Sequence, residues 1–262
     1  MVGVPAGSEL KLAALRDFPF IHPGDDLARI IKDSLETNEF TLQDGDILVV
    51  AQKVISKAEG RQVDLAAIQP RDEAVELANL TDKDSRLVEL ILQESSQVLR
   101  YRQGLIIVEH RLGFVCANAG IDRSNVSQSD GGRDQSVLLL PEDPDRSAGK
   151  IRSVLEESSG VRLGVLVIDS HGRAWRNGTV GIAIGLSGLP AVVDMRGKPD
   201  LFGYCLQVTE IAAADELAAG ASLLMGQAGE GFPVVLARGF PYALREASFA
   251  ELPRERQKDL FR

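Results

Sequence analysis

The chain has 262 residues, 44% hydrophobic and 26% charged, which is ordinary for a globular protein with a full-sized core and no need of disulfide or metal staples. Its net charge of −9 argues against a duplex-binding face, which needs a basic surface, but leaves room for a local anion site. No apolar run reaches the ~18–20 residues that span a bilayer, and the N-terminus lacks a basic-then-apolar leader, so a cytoplasmic protein is expected.

Residues 1–16 are weakly patterned. Residues 18–24, Phe-Pro-Phe-Ile-His-Pro-Gly, hold too much proline for a helix and read as extended. Asp25 and Asp26 then cap an amphipathic helix to about residue 34, with Leu27, Ile30 and Ile31 on one face. Gly45-Asp46 turns into a wholly apolar strand at 47–51, read as central. Gln52 follows, and Lys53, Lys57 and Arg61 form a basic cluster just past that strand. Helices are predicted from Pro70 to about residue 80 and over 85–99, the second from Leu87, Leu90, Ile91 and Val98. Strands are expected at 104–109, 113–117 and 137–140. A mobile surface loop is expected over 127–136, with Gly131-Gly132 inside it. A helix over 141–159 begins with acidic residues that suit its N-terminus.

The Val- and Ile-rich run at 163–168 reads as a buried strand, stopped by a polar turn, Asp169-Ser170-His171-Gly172. Arg173 and Arg176 follow in a short loop, and a strand at 179–184 returns to the core. A strand at 190–194, a turn near 197–200, a helix over 207–224 (the longest expected) and a strand at 234–237 complete the body. The charged tail from Glu246 reads as a peripheral helix. Helices and strands interleave irregularly, which points to an α+β fold with mixed or antiparallel sheets, neither Rossmann nor P-loop. The expected organisation is one catalytic unit over 1–245, undivided or built as two intertwined subdomains, followed by a tail at 246–262. Cys116 and Cys205 read as buried free thiols.

Three loops carry ligand-competent side chains: Asp122 with Asn125, Asp169 with Ser170, and Gln227 with Glu230. Hard oxygens of this kind suit magnesium or manganese, with phosphates and waters completing the shell. His22, His110 and His171 have no zinc spacing and there is no HExxH, so zinc is not expected. His171 beside Asp169 reads either as a proton carrier or as a solvated loop histidine. No Walker motif and no strand-then-GxGxxG is present. Gly226, Gly229 and Gly231 can offer backbone N–H groups to phosphate or simply end a helix. Lys57 can neutralise a phosphoryl group or stand solvated at a strand end. Residues alone thus give a soluble α+β enzyme with a divalent-metal and phosphate site.

Four stretches in order, Val50-Ala-Gln-Lys-Val-Ile-Ser-Lys-Ala-Glu-Gly-Arg61, Asn118-Ala-Gly-Ile-Asp-Arg-Ser-Asn125, Asp169-Ser-His-Gly-Arg-Ala-Trp-Arg176 and Leu224-Met-Gly-Gln-Ala-Gly-Glu-Gly231, resemble the coenzyme F420:gamma-glutamyl ligases over roughly residues 15–240. The resemblance implies a carbon–nitrogen ligase that adds L-glutamate to a deazaflavin coenzyme precursor. It uses GTP, passes through an acyl phosphate and releases GDP and phosphate. It implies Lys57, Asp122 and Asp169 as catalytic residues. Asp122, Asp169, Ser170 and Gln227 would hold Mg2+ or Mn2+ at two sites, with K+ as a further ion. Family members often have Thr at the Ser170 position, and the hydroxyl is kept. Phe18, Pro19, Phe20, Ile21, Gln52, Lys53, Lys57 and Asn125 would contact the nucleotide, with Met225, Gly226, Gln227, Ala228, Gly229, Glu230, Gly231 and Phe232 wrapping its other side. Arg173 and Arg176 are assigned here to substrate phosphate or carboxylate. A homodimer is implied, with no nucleic acid and no membrane as partners. Two alternatives stay open: a ligase of this architecture acting on another acid, and a non-catalytic nucleotide-binding protein.

Overall fold

The computed structural model describes residues 9–124 and 135–260. In chain order these form β1 (Lys11–Ala14), α1 (Leu27–Thr37), β2 (Ile47–Ala51), α2 (Gln52–Ala58), β3 (Gln62–Asp64), α3 (Asp72–Thr81), α4 (Ser85–Gln93), β4 (Ser95–Arg102), β5 (Leu105–His110), β6 (Val115–Ala117), β7 (Ser136–Leu138), α5 (Pro144–Ser159), β8 (Gly164–Arg173), β9 (Arg176–Ser187), β10 (Val193–Asp194), β11 (Glu210–Ile211), α6 (Ala213–Met225) and β12 (Val234–Arg238). Asn125 and positions 127–134 of the expected loop lie outside the described residues.

The central apolar run takes the middle of a five-stranded sheet ordered β1-β12-β2-β8-β9. Successive strand side chains point to opposite faces, and here both faces are covered. Ile47 and Val49 join Leu166, Val235 and the α6 residues Ala214, Leu217 and Ala218 in one core. Leu48 and Val50 join Val165, Val167, Leu236, Ile31 of α1 and Ile151 and Leu155 of α5 in the other. Burial on two sides explains a strand without a polar residue. β2 runs antiparallel to β12 but parallel to β8. Parallel neighbours cannot be joined by a tight turn, and the connection, residues 52–163, carries the antiparallel sheet β4-β5-β6, the β3-β7 pair and helices α2 to α5. The fold is α+β, as expected.

Several expected boundaries are corrected. The polar stretch 169–172 is not a turn: β8 continues to Arg173, with Asp169 paired to Ile182 and Gly172 to Thr179, and the chain reverses beyond it at Ala174-Trp175. Ser170, Gly172 and Arg173 are exposed there, whereas His171 is buried and bonds Asp169. The helix expected to reach residue 99 ends at Gln93, since Ser95 onward pairs with β5. The helix expected from 207 starts at Ala213, because Glu210–Ile211 is taken by β10, and at 13 residues α6 is shorter than the 16 of α5. The expected strand at 190–194 shrinks to Val193–Asp194. Residues 11–14, too weakly patterned to assign, form an edge strand. Cys205 is exposed whereas Cys116 is buried. The tail forms short 3-10 turns at Phe249–Glu251 and Arg256–Lys258, and Phe249 is buried against the body. No helix among the described residues is long and apolar enough to cross a membrane.

Two buried carboxylates fasten the elements. Asp46, 1% exposed, takes a two-pronged bond from Arg238 (Nε–Oδ1 2.8 Å, Nη2–Oδ2 2.7 Å), tying the start of β2 to the end of β12. Glu94 lies between Arg61 (2.9 Å) and Arg111 (3.0 Å), with His110 facing it at 3.7 Å. Burial alone would raise the Glu94 pKa, but His110, the two guanidinium groups and their charges outweigh it and hold the group at about 2.

Arg238→Met strands the Asp46 carboxylate and should lower unfolding free energy by about 2–3 kcal/mol in urea titration, somewhat under the loss for a fully buried pair because the arginine is partly exposed. Glu94 contributes stability that is complete above its usual 4.5 and lost as pH falls toward about 2. Glu94→Gln should therefore flatten the dependence of the urea midpoint on pH within that window.

Candidate active site

β2 ends at Ala51, opposite Ile168, where its parallel pairing with β8 stops while β8 runs on. Ligand sites in sheets of this kind form outside the carboxyl ends of parallel strands, and a cavity of about 540 Å³ opens there. That volume is within the range of pre-formed small-molecule sites. Its walls come from four separated stretches. Phe18, Pro19, Phe20 and Ile21 arrive from the extended segment before α1. Gln52, Lys53, Val54 and Lys57 come from the first turns of α2, and Asp169 and Ser170 from β8. The fourth is Ser222 and Met225 of α6 with Gly226, Gln227, Ala228, Gly229, Gly231, Phe232 and Pro233 beyond it. One part is thus aromatic and apolar, and another carries two ammonium groups and a carboxylate.

Local chemistry explains the placement. Ala51 donates its N–H to Pro233 O at 2.8 Å, which binds the glycine-rich stretch to the mouth of β2. Gly226 has φ +69, and a side chain there would collide with Glu230, so the helix exit needs glycine. The Glu230 carboxylate turns back to accept from Ala228 N at 2.8 Å; these backbone bonds lower its pKa and it does not line the cavity. Ser170 Oγ donates to Gln227 Oε1 at 2.7 Å, joining β8 to the glycine-rich stretch.

The Asp122 carboxylate is brought to the cavity by Lys53, whose Nζ lies 2.6 Å from Oδ2 and also donates to Ser124 Oγ at 2.7 Å. Burial raises the Asp122 pKa, but the Lys53 bond and charge and the Ser124 N–H (2.6 Å to Oδ1) outweigh it, and the group is held below the usual carboxylate range. Lys57 is pushed down by burial and by neighbouring Lys53, with Asp122 opposing. Asp169 Oδ2 lies 2.9 Å from His171 Nε2. Gln52 is buried in the cavity wall. Its Oε1 accepts from Ser56 Oγ at 2.8 Å, while its Nε2 has no acceptor among the described residues.

The structure therefore brings Phe18 to Ile21, Gln52, Lys53, Lys57, Asp169, Ser170 and the glycine-rich stretch around one space, with Asp122 joined to it through Lys53. Arg173 and Arg176 are exposed at the far end of the β8–β9 hairpin and do not line it. Asn125 lies outside the described residues. Ser124 was not among the sequence candidates, although an Asp-x-Ser spacing after a strand is the signal of a side chain bonding its own backbone two residues on. Val54, Ile168 and Ser222 also line the cavity, and only tertiary packing reveals them.

The side chains here suited to a hard cation are the oxygens of Asp169, Ser170 and Gln227, and no group of three or more His, Cys, Asp or Glu is set to hold a metal among the described residues. Magnesium-type ions fit such a set, since they need only one or two protein carboxylates beside water and phosphate oxygens.

A family model described as F420-0:gamma-glutamyl ligase matches residues 17–239, and the chain belongs to this family of carbon–nitrogen ligases. It is 46% identical over 255 residues to the coenzyme F420:L-glutamate ligase of Methanothermobacter thermautotrophicus, covering 97% of this chain and 99% of the relative. The proteins of the same name from Methanopyrus kandleri and Archaeoglobus fulgidus are 48% identical over 219 residues (84% of this chain, 82% of the relative) and 43% over 253 residues (97% and 96%).

Because the folded-state pKa of Lys57 lies below 10.5, the chain carries a charging penalty at neutral pH that fades as pH rises through the lowered value. Lys57→Met should raise the melting temperature at pH 7. Scanning calorimetry at pH 7 and at higher pH should show that gain shrinking as pH rises.

Proposed function

We propose that the protein joins the amine of L-glutamate to the terminal carboxylate of a deazaflavin coenzyme F420 precursor, with GTP as the energy source. The γ-phosphoryl group passes from GTP to a carboxylate oxygen, the bond to the β-phosphate breaks, and GDP leaves. The glutamate amine then attacks the acyl carbon, phosphate departs, and the amine gives up a proton. The reading rests on a single cavity that joins an aromatic, glycine-rich cradle to a cationic and oxygen-rich end, in a member of this ligase family.

Each part has a task in this scheme. Phe18, Phe20, Met225 and Phe232 offer a low-polarity bed for a purine, and the backbone N–H groups near Gly229 suit phosphate oxygens. Lys53 and Lys57 neutralise charge that gathers as the phosphoryl group moves, a reaction governed by positioning and electrostatics. The orphan Gln52 amide is a neutral donor for an acceptor oxygen of the nucleotide. Asp122 and Asp169, with Ser170 and Gln227, are the residues to hold magnesium or manganese. When bound, such an ion screens the phosphates and polarises the reacting oxygen. A potassium ion and a cytoplasmic setting complete the reading. A homodimer is proposed as the working form. Leu201 and Phe202, 98% and 95% exposed between β10 and β11, are apolar side chains of the kind a partner copy covers.

Incubation with GTP, glutamate, magnesium and the precursor should add one glutamyl mass to the precursor per GTP consumed. Asp169→Asn should slow this by about 100-fold or more, the scale of losing one electrostatic stabiliser. Consumption of GTP with a different acid would reassign the substrate, and tight GTP binding without turnover would point to a binding protein.

A further inference from the structure

Asp169 and His171 stand two residues apart in β8, so their side chains emerge on one face, while Ser170 between them turns to the other and meets Gln227. His171 Nε2 lies 2.9 Å from Asp169 Oδ2. A carboxylate only accepts, so Nε2 is the nitrogen that carries the proton. His171 is 7% exposed and is no solvated loop histidine. Phe114 tilts against its ring with centroids 5.3 Å apart. Phe114 itself stacks on His110 at 5.2 Å and meets Phe249 edge-on at 5.5 Å. Phe249 is pinned in turn, its backbone N–H donating to the Asp145 carboxylate at 3.0 Å. Phe114, itself held by His110 and by Phe249 of the C-terminal segment, thus packs against an imidazole whose Nε2 meets the cavity carboxylate.

We propose that His171 is a positioning residue of the ligase site. By holding Asp169 Oδ2 it fixes the carboxylate plane and leaves Oδ1 to face the cavity as a donor to a divalent cation. The inference rests on the reading of Asp169 as such a donor. Partners of this kind orient metal-binding side chains, and removing them typically costs 10–100-fold in metal affinity. The aromatic contacts supply the rigidity: an imidazole free to rotate would hold the carboxylate in no single plane.

The test compares His171→Phe, which keeps a ring against Phe114 but removes the donor, with His171→Gln, which restores an N–H at a similar reach. Mn2+ binding is measured by electron paramagnetic resonance with a non-hydrolysable GTP analogue present, alongside thermal melting and the kcat and KM of ligation. The expected result is Mn2+ affinity lowered about 10–100-fold in His171→Phe and largely regained in His171→Gln, with KM for glutamate unchanged in both. Equal losses in the two variants, or Mn2+ affinity within twofold of the parent in His171→Phe, would overturn the proposal. Phe114→Leu, which loosens the ring but keeps the donor, should lose less Mn2+ affinity than His171→Phe, and an equal or greater loss at the same drop in melting temperature would count against a specific donor role. A parent that binds Mn2+ in a His171-dependent way yet ligates no glutamate sinks the reaction reading and spares this one. An active parent with indifferent variants does the reverse, and a parent that binds no Mn2+ overturns both.

Discussion

The parallel pairing of β2 with β8 is the constraint on which the remainder depends. It sets Ala51 opposite Ile168, so the two strands leave their pairing at the same level. Gln52 and Lys53 on one side, and Asp169 and Ser170 on the other, are therefore delivered to one space by hydrogen bonds deep in the core. A parallel pair also demands a long crossover. That crossover carries Asp122 back to the same mouth, where Lys53 takes hold of it. One pairing thus accounts for both the rigidity of the site and the distance in sequence between its parts.

The site is held mostly by its own polar groups. Lys53 bonds Asp122, His171 bonds Asp169, and Ser170 bonds Gln227. A nucleotide and a cation entering here would meet oxygens that are already oriented, and pre-organisation of this kind is what electrostatic catalysis requires. It also has a cost, since Lys57 is driven down in pKa by burial and by a like charge. A structure selected only for stability would place an apolar residue there.

The aromatic group around Phe114 shows how distant stretches bear on the same centre. His110, Phe114 and Phe249 belong to elements that share no strand pairing with β8. Their packing nevertheless reaches Asp169 through one imidazole. The C-terminal segment, in sequence only a charged tail, lodges Phe249 in this group, and its Arg256 bonds Glu109 at 2.9 Å.

Much was legible in the sequence for a clear reason. Strand 47–51, helix 72–81 and the cap at Asp26 announce themselves locally, because burial on two faces, helical spacing and an N-terminal carboxylate are properties of consecutive residues. The oxygen donors Asp122, Asp169, Ser170 and Gln227 were legible as residue types. Their convergence was not, because no local pattern reports that β8 lies beside β2. Nor does any local pattern mark the register that extends β8 through Asp169 and Ser170 instead of turning there. Hairpin pairing with β9 settles that, and with it which face each side chain takes. The fate of Glu230, drawn back onto Ala228, and of Arg173 and Arg176, carried out to the hairpin end, was likewise decided by folding. Chemistry is written residue by residue, but proximity is a property of pairings across the chain, and only the tertiary structure supplies those.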